Sequence, residues 1–79
     1  SSGGLFIQTS LPLDVGTRVR LRLTLPNGEA PFGVDGVVKW VATMRDKDKH
    51  PLGMGIEFVD VDEYTQKKIE ALVRAYTGE

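Results

Sequence analysis

The sequence predicts a mainly β domain: a small antiparallel barrel or curled sheet covered by one C-terminal helix. Three observations carry this reading. Val19, Leu21, Leu23 and Leu25 alternate with Arg18, Arg20, Arg22 and Thr24, the period-two pattern of a half-buried strand. That run stops at Pro26-Asn27-Gly28, a turn signal because Asn and Gly tolerate positive φ. Beyond Asp60 the period changes, and Ile69, Leu72, Val73 and Tyr76 recur at helical spacing. Strands first and one helix last fit a small sheet whose open face or end the helix covers.

The elements follow in order. Leu5 to Thr9 are mostly strand formers, and Ser10 to Thr17 form a loop punctuated by Pro12 and Gly16. The arginine–leucine strand comes next. A third strand covers roughly Phe32 to Ala42, with Val34, Val38 and Trp40 on one parity and Val37 and Val41 on the other. Such a strand is either covered on both sides or switches face at a bulge, expected near Gly36. Thr43 to Pro51 form a charged loop. A last strand has Met54, Ile56 and Phe58 on one face and Gly55 and Glu57 on the other. The helix is expected over about 61–77, opened by a capping box of Asp60 and Glu63 and stopped by Gly78. Strands over about 4–59 and this helix make one domain, residues 1–79.

Composition removes several function classes. The 79 residues include no cysteine, so neither a disulfide nor a thiolate metal site is available, and a reducing, cytoplasmic setting is expected. The apolar fraction of 41% is that of a globular chain. Apolar runs are too short to span a bilayer, and no signal-peptide pattern is present. With 10 basic and 11 acidic residues the net charge is −1, which disfavours a non-specific nucleic-acid binder.

Catalytic constellations are missing too. His50 is the sole histidine and lies in the charged loop, while Ser1 and Ser2 stand at the terminus. A nucleophile without a base or an orienting acid has no triad logic. The carboxylates Asp14, Asp35, Asp46, Asp48, Asp60 and Asp62 form no pair in an apolar setting that would split their pKa values. Gly53 and Gly55 have no third glycine and no following helix, so they are not a dinucleotide fingerprint. The reading is a non-enzyme with no metal and no cofactor.

The segments "SSGGLFIQT", "PLDVGTRVRLRLTLP", "VDGVVKWV" and "LGMGIEFVDVD" followed by a helix together resemble the PilZ domain family, over essentially the whole chain. They are most similar to PilZ-type paralogues of gliding and predatory bacteria. The resemblance implies a six-stranded antiparallel barrel with a C-terminal helix, here without its first strand. It also implies a receptor role for cyclic di-GMP, with R-x-x-x-R before the barrel and [D/N]-x-S-x-x-G at a strand end. Arginine forks suit phosphate and guanine acceptors, and a carboxylate or amide accepts from the guanine edge.

Carried over by position, Ser1 matches the motif serine and Gly4 its glycine, with Gly3 between them. Trp40 falls where the family places an aromatic near the ligand; its alternative is packing on the barrel or under the helix. The Asp or Asn and the arginine pair fall before residue 1. The opening residues are thus half of a nucleotide motif, a bare turn in a domain that has lost binding, or in part (Ser1 to Gly3) a vector remnant.

Arg18 and Arg22 spell R-x-x-x-R, but on a strand after the serine. With Arg20 they are expected to form a solvated stripe that protects a sheet edge and offers an interaction surface. The expected function is a regulatory module that binds protein partners in motility, pilus control or signalling. The alternative is a functional cyclic di-GMP receptor, and a more remote one is a nucleic-acid-binding barrel using Arg18 to Arg22. Leu5 to Ile7 are expected on an open edge, which implies homo-oligomers by edge pairing.

Overall fold

The computed structural model describes residues 3–44 and 48–77. Ser1 and Gly78 lie outside the described residues. Four strands and one helix follow in chain order: β1 (Gly4–Gln8), β2 (Arg18–Leu23), β3 (Phe32–Ala42), β4 (Gly53–Val59) and α1 (Glu63–Thr77). The strands form one antiparallel sheet in the order β1-β4-β3-β2, curled into a half-barrel. β1 and β2 are its two edges.

Alternation decides which side chains face inward. Val38, Met54 and Ile56 are buried at the centre, with Leu5, Ile7, Val19, Leu21 and Val41 packed against them. Each large aliphatic side chain withdrawn from water contributes about 1.5–3 kcal/mol. The turn after β2 is held by Asn27, whose Oδ1 accepts from the Glu29 amide at 3.0 Å.

β3 changes face once, at a different residue from the one the sequence suggests. Val38 stands opposite Ile56 and Trp40 opposite Gly55, so Lys39 is the additional residue of the bulge. Gly36 stays in register opposite Phe58. The extra residue reverses the parity that Trp40 would share with Val38. Val38 is fully buried, whereas Trp40 is 46% exposed on the opposite face. Trp40 therefore packs on the sheet, not under the helix.

The helix also starts differently. Asp62, not Asp60, is its cap: Asp62 Oδ1 accepts from the Thr65 amide at 2.7 Å, and the first turn begins at Glu63. Asp60 sits in the left-handed region with φ 54°, which no helical residue adopts. Its carboxylate bonds Arg18 instead. Ile69 is the buried residue of α1, at 1% exposure. Lys68 Nζ lies over two rings, 4.7 Å from the Tyr64 centroid and 5.6 Å from that of Phe32, linking the helix to the start of β3. Among the described residues, no helix is long and apolar enough to cross a membrane.

Candidate functional site

The outer face of the sheet carries an aromatic platform. Phe6 on β1 and Trp40 on β3 both stand opposite Gly55 on β4. Their rings stack at 5.3 Å between centroids, 26° from parallel. The His50 ring lies 5.9 Å from Trp40, tilted by 52°, so it is a neighbour of the platform rather than a free loop residue. Two glycines form the floor. A Cβ at Gly55 would collide with the Trp40 indole, and one at Gly53 with the Phe6 ring. A side chain at Gly55 would push the indole off the sheet, and one at Gly53 would also meet the Ile7 carbonyl of β1.

Beside the platform is an open concavity of about 550 Å³, with Gly3, Gly4, Lys39 and Glu57 on its walls together with Phe6 and Trp40. Gly3 is held in the sheet, its carbonyl accepting from the Phe58 amide at 2.9 Å. Gly4 packs so close to β4 that a Cβ would collide with the Ile56 carbonyl. Lys39 Nζ lies 3.9 Å from Glu57 Oε1. Of the sequence-predicted ligand residues, Gly3, Gly4 and Trp40 are thus brought to one concavity; Ser1 is outside the described residues.

The arginines lie elsewhere on this face, and two of the three are not a free stripe. Arg18 Nη2 donates to Asp60 Oδ2 at 2.6 Å and to Asp35 Oδ2 at 3.2 Å. Arg20 Nη1 donates to Asp35 Oδ1 at 2.8 Å. The Arg20 hydrogen bond, then that of Arg18, holds the Asp35 carboxyl below the usual range. Bonding to Asp60, then to Asp35, raises the Arg18 guanidinium above its ordinary value. Asp35 sits on β3 directly opposite Arg20, so parity alone put donor and acceptor on one face. Arg22 flanks a separate shallow hollow with Arg20, Pro31 and Gly33. From Arg18 the row runs through Val37 and Glu57 to Gly4, three strand spacings or about 14 Å. Neither Arg18 nor Arg22 lines the glycine concavity.

A PilZ domain family model matches residues 1–75. The chain belongs to the PilZ domain family. No curated protein matches it. Membership implies a module of cyclic di-GMP signalling. In this PilZ domain the aromatic that the resemblance singled out, Trp40, is one half of a stacked pair. The other half, Phe6, and the glycine floor were not singled out from sequence. The signal available was Gly53 and Gly55 at alternate positions of one strand, which leaves one sheet face flat for rings to lie on. Among the described residues, no group of three or more His, Asp or Glu is placed to hold a metal ion.

Proposed function

We propose that this PilZ domain is a non-catalytic regulatory module that works through protein contacts, in which residues 1–79 alone hold no cyclic di-GMP. The support is the charge at the glycine concavity. Its one cation among the described residues is Lys39, which faces Glu57 at 3.9 Å, while Arg18 and Arg20 are engaged with Asp35 and Asp60. A ligand with two phosphate charges needs forked or multiple cationic donors, and one lysine beside a carboxylate offers neither. The partners expected are proteins of motility, pilus control or signalling in the bacterial cytoplasm.

A receptor reading draws its support from the same concavity. Phe6 and Trp40 form a platform on which a guanine stacks, a contact that contributes about 1–3 kcal/mol per base, and Gly3 and Gly4 lie beside it. In that reading an upstream R-x-x-x-R and Asp or Asn of the natural protein supply the phosphate and base-edge contacts. Calorimetric titration of cyclic di-GMP distinguishes the two. The adaptor reading expects no heat from folded residues 1–79. Low-micromolar binding that is lost in Trp40→Ala overturns it in favour of the receptor.

A further inference from the structure

Two of the three arginines on β2 are tied to carboxylates, and the third is not. Arg18 bonds Asp35 and Asp60, and Arg20 bonds Asp35 through Nη1. No ion pair among the described residues includes Arg22. Arg20 and Arg22 together flank an open hollow of about 400 Å³, whose other walls are Leu21, Pro31 and Gly33. Among the described residues no carboxylate lines it, in contrast to the glycine concavity, where Lys39 faces Glu57. The hollow lies between two paired strands, with Arg22 on β2 opposite Gly33 on β3. A strand added at either edge of the sheet leaves it in place.

Gly33 shapes the hollow. A Cβ there would collide with the Arg20 guanidinium, so that group leans across the strand pair and lies against bare backbone. Asp35 holds its Nη1 at 2.8 Å, while Nη2, over Gly33, has no hydrogen bond among the described residues. The fork is thus oriented before anything binds, and a pre-organised fork loses less freedom on binding. Arg20 and Arg22 stand two residues apart on one face, which sets their Cα atoms about 6.8 Å apart. Carboxylates at alternate positions of an extended chain have the same spacing.

We infer that this hollow is the docking site for an acidic segment of a protein partner, bound extended across the outer face with carboxylates at alternate positions on Arg20 and Arg22. The inference deepens the adaptor reading and rests on it for the class of partner. Charge complementarity selects the occupant: forked donors that no lining carboxylate neutralises match carboxylates in pairs. A nucleic acid needs a longer basic surface, and this row ends at Arg18, which is engaged with Asp35 and Asp60. A guanine needs a ring to stack on, and among the described residues no aromatic lines the hollow. Pro31 and Leu21 offer an apolar wall to the stem of a glutamate.

NMR titration of the chain tests this, with a short end-blocked peptide of alternating glutamate and serine as the probe. Shifts are expected at the Gly33 amide and at the Nε–H groups of Arg20 and Arg22, and binding should weaken as salt is added. Arg22→Gln is expected to weaken binding about tenfold through loss of one charge-assisted hydrogen bond. Arg74→Gln removes an exposed arginine of α1 instead and is expected to leave binding unchanged. Gly33→Ala keeps every charge, displaces the Arg20 guanidinium and is expected to weaken binding severalfold. Unchanged circular dichroism shows that the variants are folded. No shift at millimolar peptide overturns the inference. So do equal losses in Arg22→Gln and Arg74→Gln, which show attraction to basic charge anywhere on the chain. Tighter binding of a short oligothymidylate overturns it in favour of nucleic acid. Failure of the adaptor reading shows elsewhere, as cyclic di-GMP heat that is lost in Trp40→Ala, so the two readings fail by different signals.

Discussion

Gly55 decides where Trp40 can lie. The indole covers the site a Cβ would occupy, and the Phe6 ring meets it there at 5.3 Å. Gly55→Ala is therefore expected to lift Trp40 off the sheet, at a cost of about 1–3 kcal/mol for overpacking. Trp40 is the only tryptophan, so a red shift of its emission reports the displacement directly. A second residue-scale expectation concerns acid. Asp35 and Asp62 have folded-state pKa values below the ordinary carboxylate value, the first through Arg20 and Arg18, the second through the Thr65 amide and hydroxyl. Their contribution is complete above the unfolded value of about 4 and is lost as pH falls through the lower folded value. Urea midpoints should therefore drop below about pH 4, and Asp35→Asn should flatten that acid limb. The raised Arg18 guanidinium changes nothing there, since its contribution is lost only in strong alkali. An acid limb identical in Asp35→Asn would show that the Arg18–Asp35–Arg20 cluster contributes no pH-linked stability.

At the scale of elements, the helix tests the assignment of its cap. Asp62→Ala removes the acceptor of the Thr65 amide and should lower both helicity and Tm by a few degrees. Asp60→Gly removes an exposed carboxylate that bonds Arg18 directly at 2.6 Å and relieves a left-handed backbone at φ 54°. Exposed ion pairs contribute little, so Tm should stay within a degree or two. Equal losses in the two variants would return the cap to Asp60. Ile69 is the anchor of α1. Ile69→Ala should cost about 3 kcal/mol, which thermal or urea unfolding followed by circular dichroism measures. The bulge at Lys39 is a further element-scale device: one extra residue turns Trp40 outward while Val38 stays at 0% exposure.

For the molecule as a whole, the asymmetry of the sheet matters most. One edge is guarded by arginines, and two of these also bind Asp35 and Asp60, so the guard is held in place. The other edge is apolar and sits beside the glycine concavity and the trough under α1. A chain this short buries only about 60% of its unfolded surface, and its core is correspondingly small, centred on Val38, Met54 and Ile56. Phe6 belongs both to the platform and to the edge strand β1.

Much of the fold was legible in the order of residues. The leucine–arginine alternation of β2, the Asn27-Gly28 turn, the alternation of β4 and the helical spacing of Ile69, Leu72 and Val73 each depend on local periodicity. Neighbours in sequence set that periodicity. The PilZ resemblance was legible for the same reason, since it rests on the order of those segments. Three features were not. The bulge lies at Lys39 rather than Gly36 because the partner strand sets register, and β4 is remote in sequence. The cap is Asp62 rather than Asp60: Asp60 takes a left-handed backbone and its carboxylate meets Arg18, 42 positions away, a contact that local spacing does not show. The platform of Phe6, Trp40 and His50 joins residues from β1, β3 and the loop before β4, over glycines whose use appears only once three strands lie side by side. Periodicity determines which way a side chain points; which other side chain it meets there depends on strand pairing across long sequence separations.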